Sequence, residues 1–143
     1  MRAFFRESQQ PIDADVLAQN GVLYRQLPMD AYQPHLTELT SERGYLAQDE
    51  IALRPDSPNL EGALQKFDGE HHHDDDEVRF VLEGEGIFDI RALDERWMRV
   101  IVQPGDLLVV PKGKHHRFEL TETKTIRCVR LFKDPAGWTA IYR

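Results

Sequence analysis

Hydrophobic residues in the first part of the chain recur at helical spacing in some stretches and alternate with polar residues in others. Leu36 and Leu39 fall on one face of a helix, whereas Ile51 and Leu53 alternate with polar neighbours as in a half-buried strand. Asp13 is a suitable helix cap, and glycines at positions 21 and 44 are suitable helix ends. The pattern predicts helices over residues 13–20, 30–43 and 59–67, and strands over 22–27 and 45–53.

From residue 70 onward the pattern changes to strands that follow one another with glycine and proline turns between them. The predicted strands cover residues 77–83, 87–91, 97–102, 107–110, 116–120, 124–132 and 138–142. Many short strands at this spacing favour an antiparallel sandwich or barrel. With no internal repeat in the sequence, we expect one domain over 1–143, with a helix and strand part at 1–69 and barrel strands at 70–143.

Composition narrows the classes of function. The 143 residues are 41% apolar, and 18 Lys and Arg against 25 Asp and Glu give a net charge of −7. Such an acidic domain is a poor candidate for binding nucleic acid or an anionic membrane. Cys128 is the only cysteine, so no intrachain disulfide can form, and we expect it to be a small buried packing residue. The first ten residues lack the apolar core of a signal peptide, so we expect a cytoplasmic protein.

The densest group of metal-ligand side chains lies between residues 70 and 77. Successive side chains of a strand point to opposite faces, so His71 and His73 share a face and His72 points away. Glu77 has the same parity and begins the next strand after a tight acidic turn. Two imidazoles and one carboxylate on one face suit Fe(II), and Ni(II), Co(II) or Mn(II) also fit, with one ion per chain.

A second element supplies a fourth candidate ligand. Gly105, Pro111, Gly113 and His116 follow the pattern G-x5-P-x-G-x2-H, and the first element follows H-x-H-x3-E-x6-G. His115 competes with His116 for this role, but the motif spacing and strand parity favour His116. Together the two elements resemble the paired motifs of the cupin superfamily. That resemblance implies a mainly β protein, a cupin jelly-roll barrel (double-stranded β-helix) with a few short N-terminal helices.

A closer resemblance covers most of the chain. The motifs E-H-x-H-x-D-D-E-V-R-F at residues 70–80, E-G-x-G-x-F at 83–88, G-D-L at 105–107, V-P-x-G-x-x-H-R-F at 110–118, R-L-F at 130–132 and G-W-T-A at 137–140 are similar to those of acireductone dioxygenases. Family members usually carry a longer helical region between residues 27 and 44. The resemblance implies a metal-dependent enzyme of methionine salvage that cleaves the acireductone 1,2-dihydroxy-3-keto-5-methylthiopentene with O2. With Fe(II) the family makes formate and 4-methylthio-2-oxobutanoate, and with Ni(II) it makes methylthiopropionate, formate and carbon monoxide.

Charged side chains near the predicted ligands fit this chemistry. Arg79 has the parity of Glu77, and Arg130 lies in a later strand, so their guanidinium groups could bind an enediol dianion. Either arginine could instead pair with a structural carboxylate. Asp76 is a candidate proton acceptor or only a turn carboxylate, and Glu70 could hydrogen-bond a ligand imidazole.

Three aromatic residues match positions that line the substrate pocket of the family: Phe67, Phe118 and Trp138. Their rings would suit a methylthio tail and exclude water, and ordinary core packing is the alternative for each. Two other functions remain open from the sequence. One is a cupin dioxygenase of another enediol substrate, and the other is a metal-dependent binding or sensor module without turnover.

Overall fold

The computed structural model describes residues 1–58, 60–133 and 141–142, and for residues 63, 66 and 67 it describes only the course of the helix. Three helices are α1 (Ala14–Gln19), α2 (Gln33–Arg43) and α3 (Leu60–Asp68). The strands are β1 (Arg2–Phe5), β2 (Leu23–Gln26), β3 (Ala47–Leu53), β4 (His71–His72), β5 (Glu77–Gly84), β6 (Gly86–Arg91), β7 (Trp97–Val102), β8 (Asp106–Val110), β9 (His116–Leu120), β10 (Ile126–Phe132) and β11 (Ile141–Tyr142). No helix among these residues is long and apolar enough to cross a membrane.

The strands form two antiparallel sheets. One sheet has the order β1-β7-β6-β9-β4-β11, and the other has the order β2-β8-β5-β10-β3. Residues from both sheets form one buried cluster, which includes Phe88, Ile90 and Met98 from the first sheet and Leu108 and Cys128 from the second. The sheets therefore face each other across a shared core, and the prediction of a mainly β protein is confirmed.

A second buried cluster lies on the outer face of the five-stranded sheet, where α2 covers it. Leu36 and Leu39 of α2 are in the same cluster as Phe80 and Leu131, and all four are almost fully buried. The helix begins with a proline in its first turn and ends at Gly44, whose φ of 74° is readily adopted by glycine. Strands β5 and β10 are thus packed on both faces, which fixes the position of their inward side chains.

Replacing Leu36 by Ala should therefore destabilise the protein by about 2–5 kcal/mol, because it removes buried methyl groups and leaves a cavity under α2. Urea unfolding measures this change. Leu46→Ala is the control, since Leu46 is 81% exposed and its truncation should change the free energy of unfolding by less than about 0.5 kcal/mol. Equal effects of the two substitutions would contradict the packing of α2 on the sheet.

Most element boundaries agree with the sequence pattern to within a few residues. Strand β1 was not predicted, because its charged neighbours hide the alternation of the buried residues Ala3 and Phe5. Helix α2 begins three residues later than expected, at Gln33. The predicted last strand is described only at Ile141–Tyr142, and its remainder lies outside the described residues.

Candidate metal centre

Three of the four predicted ligands are the first residues of strands. His71 begins β4, Glu77 begins β5 and His116 begins β9. His71 and His116 lie opposite each other in the antiparallel pair of β4 and β9, and each is only 2% exposed. Glu77 reaches the same point from the other sheet, where it lies opposite Val110. The fold therefore brings side chains from both sheets together at one end of the core.

The histidine donor atoms converge. One ring nitrogen from each of His71, His73 and His116 lies within 4.8 Å of the others, a spacing that could hold a metal ion. Glu77 joins them, because its Oε2 lies 2.5 Å from Nε2 of His116 and 3.7 Å from Nε2 of His73. Oε2 of Glu77 and Nε2 of His116 are buried and make no hydrogen bond of acceptable geometry within the described chain. A shared divalent ion would satisfy both atoms, so these residues fit a metal centre.

Backbone carbonyls orient two of the imidazoles. Nδ1 of His71 lies 2.6 Å from the carbonyl oxygen of Gly69, and Nδ1 of His116 lies 2.8 Å from that of Lys114. When each Nδ1–H donates to its carbonyl, Nε2 is left free to coordinate. In both cases the acceptor lies two residues earlier in the chain. Sequence reasoning missed these carbonyls, because every residue type carries one.

Burial and charge shift the pKa values of these groups in different directions. Burial would raise the pKa of Glu77, but the Arg79 guanidinium and His116 outweigh it and hold the pKa well below its usual range. Burial lowers the pKa of His71 below its usual value. Burial also lowers the pKa of His116, but the Glu77 carboxylate outweighs this effect and raises the pKa above its usual value. Around neutral pH Glu77 is therefore anionic and His71 neutral, which are the forms in which a carboxylate and an imidazole bind a metal ion.

Asp76 belongs to the loop between β4 and β5 and is not among the described residues that line the cavity at the metal centre. Its carboxylate accepts hydrogen bonds from the Tyr45 hydroxyl at 2.7 Å and from the backbone N–H of Lys112 at 3.0 Å. Burial, with the Asp76 contact, raises the pKa of Tyr45. The neighbouring Asp75 accepts from the backbone N–H of Lys133 at 2.9 Å. These contacts favour the interpretation of Asp76 as a turn carboxylate that holds the loop in place.

The two candidate arginines lie opposite each other on β5 and β10 but bind different partners. Arg79 lines the cavity, and its Nη2 lies 2.9 Å from Oε1 of Glu77. Arg130 donates from Nε and Nη2 to the two carboxylate oxygens of Asp49, at 2.8 and 2.7 Å. Among the described residues, Arg79 is thus the arginine that faces the predicted metal, and the contacts of Arg130 favour its structural alternative.

Glu70 lies close to the centre, but its described contacts point away from the predicted ligands. Its carboxylate forms a forked pair with Arg91, at 2.9 Å to Nη2 and 3.3 Å to Nε. Its Oε2 also lies 3.4 Å from Nδ1 of His115. Glu70 therefore joins the chain before β4 to the outer surface of the six-stranded sheet.

A cavity opens beside the predicted metal centre. His71, Glu77 and Arg79 form its polar end. Its other lining side chains are apolar or weakly polar: Ile51, Leu53, Phe88, Phe118, Ile126 and Cys128. Of the three predicted aromatic residues, Phe118 lines the cavity, the side chain of Phe67 is not described, and Trp138 lies outside the described residues. The alternation of Ile51 and Leu53 was visible in the sequence, but the pattern alone did not say that β3 forms a cavity wall.

The cavity also contains the single thiol. Burial raises the pKa of Cys128 to about 12, so the reactive thiolate is scarce until the pH approaches that value. We expect Cys128 in the folded protein to react far more slowly with a disulfide reagent at pH 8 than it does after unfolding in guanidinium. Absorbance of the released thiol anion measures both rates. Equal rates in the two states would contradict the buried position.

Two facing antiparallel sheets, with a three-histidine cluster at one end of their shared core, define a metal-binding β protein of the cupin type. Comparison with known proteins identifies the group within this class. The model of the ARD/ARD' family matches residues 3–140, so the chain belongs to that family, the acireductone dioxygenases. The chain is accordingly an oxidoreductase of the dioxygenase type, which acts on a small-molecule substrate with O2.

Individual relatives agree with this assignment. The acireductone dioxygenase of Heterostelium pallidum is 44% identical over 143 residues, which cover 100% of this chain and 98% of the relative. The enzyme of Dictyostelium discoideum is 40% identical over 148 residues, which cover 100% of this chain and 99% of the relative. Both relatives are matched over nearly their whole length. The short region between residues 27 and 44 is therefore compatible with membership of this family.

A solved structure agrees as well. The acireductone dioxygenase from Bacillus anthracis with a cadmium ion in its active centre superposes with a TM-score of 0.93 at 30% identity, covering 99% of this chain and 97% of that chain. The cadmium of that protein and the histidine cluster of this one support a metal cofactor, without identifying the metal.

Proposed function

We propose that the enzyme cleaves the acireductone 1,2-dihydroxy-3-keto-5-methylthiopentene with O2, giving formate and 4-methylthio-2-oxobutanoate, in methionine salvage. His71, His73, Glu77 and His116 hold one Fe(II) ion in this proposal, with Ni(II), Co(II) or Mn(II) as alternative occupants. The carbon atoms balance, since a six-carbon substrate gives a one-carbon and a five-carbon acid. The substrate has three oxygen atoms and the two acid products together have five, so the two atoms of O2 complete the oxygen balance.

The observation that supports this substrate most strongly is the division of the cavity into a polar and an apolar end. The polar end contains Glu77, His71 and the guanidinium of Arg79, whereas Ile51 and Leu53 contribute to the apolar walls. An acireductone has the same division, with three oxygen atoms at one end and a methylthioethyl tail at the other. The enediol oxygens would lie at the metal-binding end and the tail along the apolar walls.

The side chains of this cavity have separable tasks. Arg79 is held by Glu77 at 2.9 Å and by its bond to the Val78 carbonyl oxygen at 2.9 Å, so its guanidinium is oriented before substrate arrives. It would neutralise the enediolate and donate hydrogen bonds to its oxygens. Phe118 and Ile126 would exclude water from the reacting carbons. A divalent ion held by the four predicted ligands would supply a Lewis acid that favours ionisation of the enediol.

Formate release tests the proposal. Apo-protein is loaded anaerobically with one equivalent of Fe(II), mixed with the acireductone, and then exposed to O2. We expect one formate and one 4-methylthio-2-oxobutanoate per substrate consumed, measured by chromatography. The same protein loaded with Ni(II) is the matched comparison, for which we expect carbon monoxide among the products.

Two results would overturn the proposal in different ways. Folded, iron-loaded protein that leaves the acireductone unconsumed beyond its spontaneous oxidation would exclude this substrate. Faster turnover of an acireductone without the methylthio group would indicate another enediol as the natural substrate, because the apolar walls would then contribute nothing to recognition.

A further inference from the structure

His72 of β4 and His115, which directly precedes β9, form a second pair of histidines on the face opposite His71 and His116. His71 and His116 lie opposite each other, so in this antiparallel pair the next cross-strand neighbours are His72 and His115. The rings of His72 and His115 lie 4.9 Å apart between centroids, with an interplanar angle of 42°. These two imidazoles belong to neither the predicted metal centre nor the lining of its cavity.

The ring nitrogens of this pair are unusual for a surface location. Nδ1 of His72 and Nδ1 of His115 are both buried, and neither makes a hydrogen bond of acceptable geometry with the described residues. A buried nitrogen without a hydrogen bond costs free energy unless water or an ion satisfies it. An Oε2 atom of Glu70 lies 3.4 Å from Nδ1 of His115, which places a carboxylate beside the two imidazoles.

The carboxylate is held in position by its surroundings. Arg91 forms the forked pair with Glu70 and lies over the ring of Trp97, with its guanidinium carbon 3.8 Å from the centroid. Arg91 also donates from its backbone N–H to the carbonyl oxygen of His115 at 2.9 Å. Glu70 is thus fixed to the same strand pair that carries the imidazoles.

We propose that His72, His115 and the Glu70 carboxylate form a second binding site for a divalent transition metal, separate from the catalytic centre. Two imidazoles and a carboxylate suit Ni(II), Cu(II) and Zn(II), whereas Mg(II) and Ca(II) prefer oxygen ligands alone. The two sites share no side chain, because adjacent residues of a strand point to opposite faces. Both sites can therefore be filled at once.

The second site binds its metal more weakly than the first. Among the described residues, His71, His73 and His116 alone form a group of three or more ligand-type side chains whose donor atoms all lie within 4.8 Å. The second site offers two imidazoles and a carboxylate that is already paired with Arg91. Metal held there exchanges with solution, while the four-ligand centre retains its ion.

Nickel stoichiometry tests this inference. Apo-protein is dialysed against increasing Ni(II), and bound metal is measured by plasma mass spectrometry. We expect two Ni(II) per wild-type chain, with the second equivalent removed first by a competing chelator. His72→Gln and His115→Gln should each reduce the stoichiometry to one and keep iron-dependent turnover, which also verifies folding. His116→Gln should lose the tightly held equivalent and keep the weak one.

The exposed His35 on α2 provides the matched control, since His35→Gln should leave two equivalents bound. The inference is overturned if wild-type protein binds only one Ni(II), or if His72→Gln and His115→Gln retain the second equivalent. It is also overturned if His35→Gln loses that equivalent. Because the readout is metal content, absence of formate release would count against the proposed substrate and leave this result unaffected.

Discussion

Replacing His116 by Gln is expected to abolish turnover and to lower the affinity for Fe(II) by more than about a hundredfold. Changes to groups that merely orient a metal ligand cost about 10–100-fold in metal affinity, so loss of a ligand should cost more. His116 is 2% exposed and faces Glu77, so no water-exposed side chain can readily replace its imidazole. Iron content after gel filtration and the rate of formate release measure the two effects.

The neighbouring His115 makes this test specific. Under saturating Fe(II), His115→Gln should retain iron at the predicted catalytic centre and turn over at close to the wild-type rate, because the His115 ring lies beside His72 and Glu70. Glutamine places the same uncharged polar side chain at both positions, and thermal unfolding of each variant checks that it is folded. If His115→Gln loses tightly bound iron and His116→Gln keeps it, the choice of ligand is wrong.

Replacing Arg79 by Met is expected to reduce kcat by about 10²–10³-fold, the usual cost of removing one preorganised donor from a site where negative charge develops. Arg79 lines the cavity and is held by Glu77 at 2.9 Å, so its guanidinium is already in place for an anionic substrate. Its removal also leaves Glu77 without its main cationic partner. Metal content must therefore be measured beside kcat, and the rate expressed per iron-loaded chain.

Arg130→Met is the matched control, since Arg130 lies opposite Arg79 but is bound by Asp49. We expect this variant to lose less than about tenfold in kcat, because Arg130 is not among the described residues that line the cavity. Its thermal stability should fall only slightly, because a partly exposed ion pair contributes little to stability. Arg79→Lys should recover part of the rate, as it restores the charge without the planar fork. Equal loss of kcat in both methionine variants would instead support a catalytic role for Arg130.

Local patterns in the sequence were sufficient to predict a metal-ligand set and the fold class. Strand period and motif spacing select His71, His73, Glu77 and His116, and the structure brings their side chains to one point. Strand alternation separates His71 from His72 on β4. His73 follows the end of β4 and Glu77 begins β5 in the other sheet, so the fold brings these two to the same point. The mainly β fold and the family were predicted correctly. Strand β1 was missed because a single short strand with charged neighbours has little pattern.

Contacts between distant parts of the chain decided the remainder. Arg79 and Arg130 look equivalent in sequence, but Asp49, which lies 81 residues before Arg130, binds the second one. Sequence alone left Asp76 open as a base or a turn carboxylate, and the hydroxyl of Tyr45, which lies 31 residues before it, donates to its carboxylate and favours the second interpretation.

The sequence by itself therefore predicted the metal-ligand set from motif spacing, and the resemblance of its motifs over residues 70–140 was enough to predict the fold class and the family. The tertiary structure decided which arginine faces the cavity, how β3 contributes Ile51 and Leu53 to its wall, and that His72 meets His115 on the opposite face. These features depend on strand register and side-chain partners, which are set by packing among elements that are far apart in the chain.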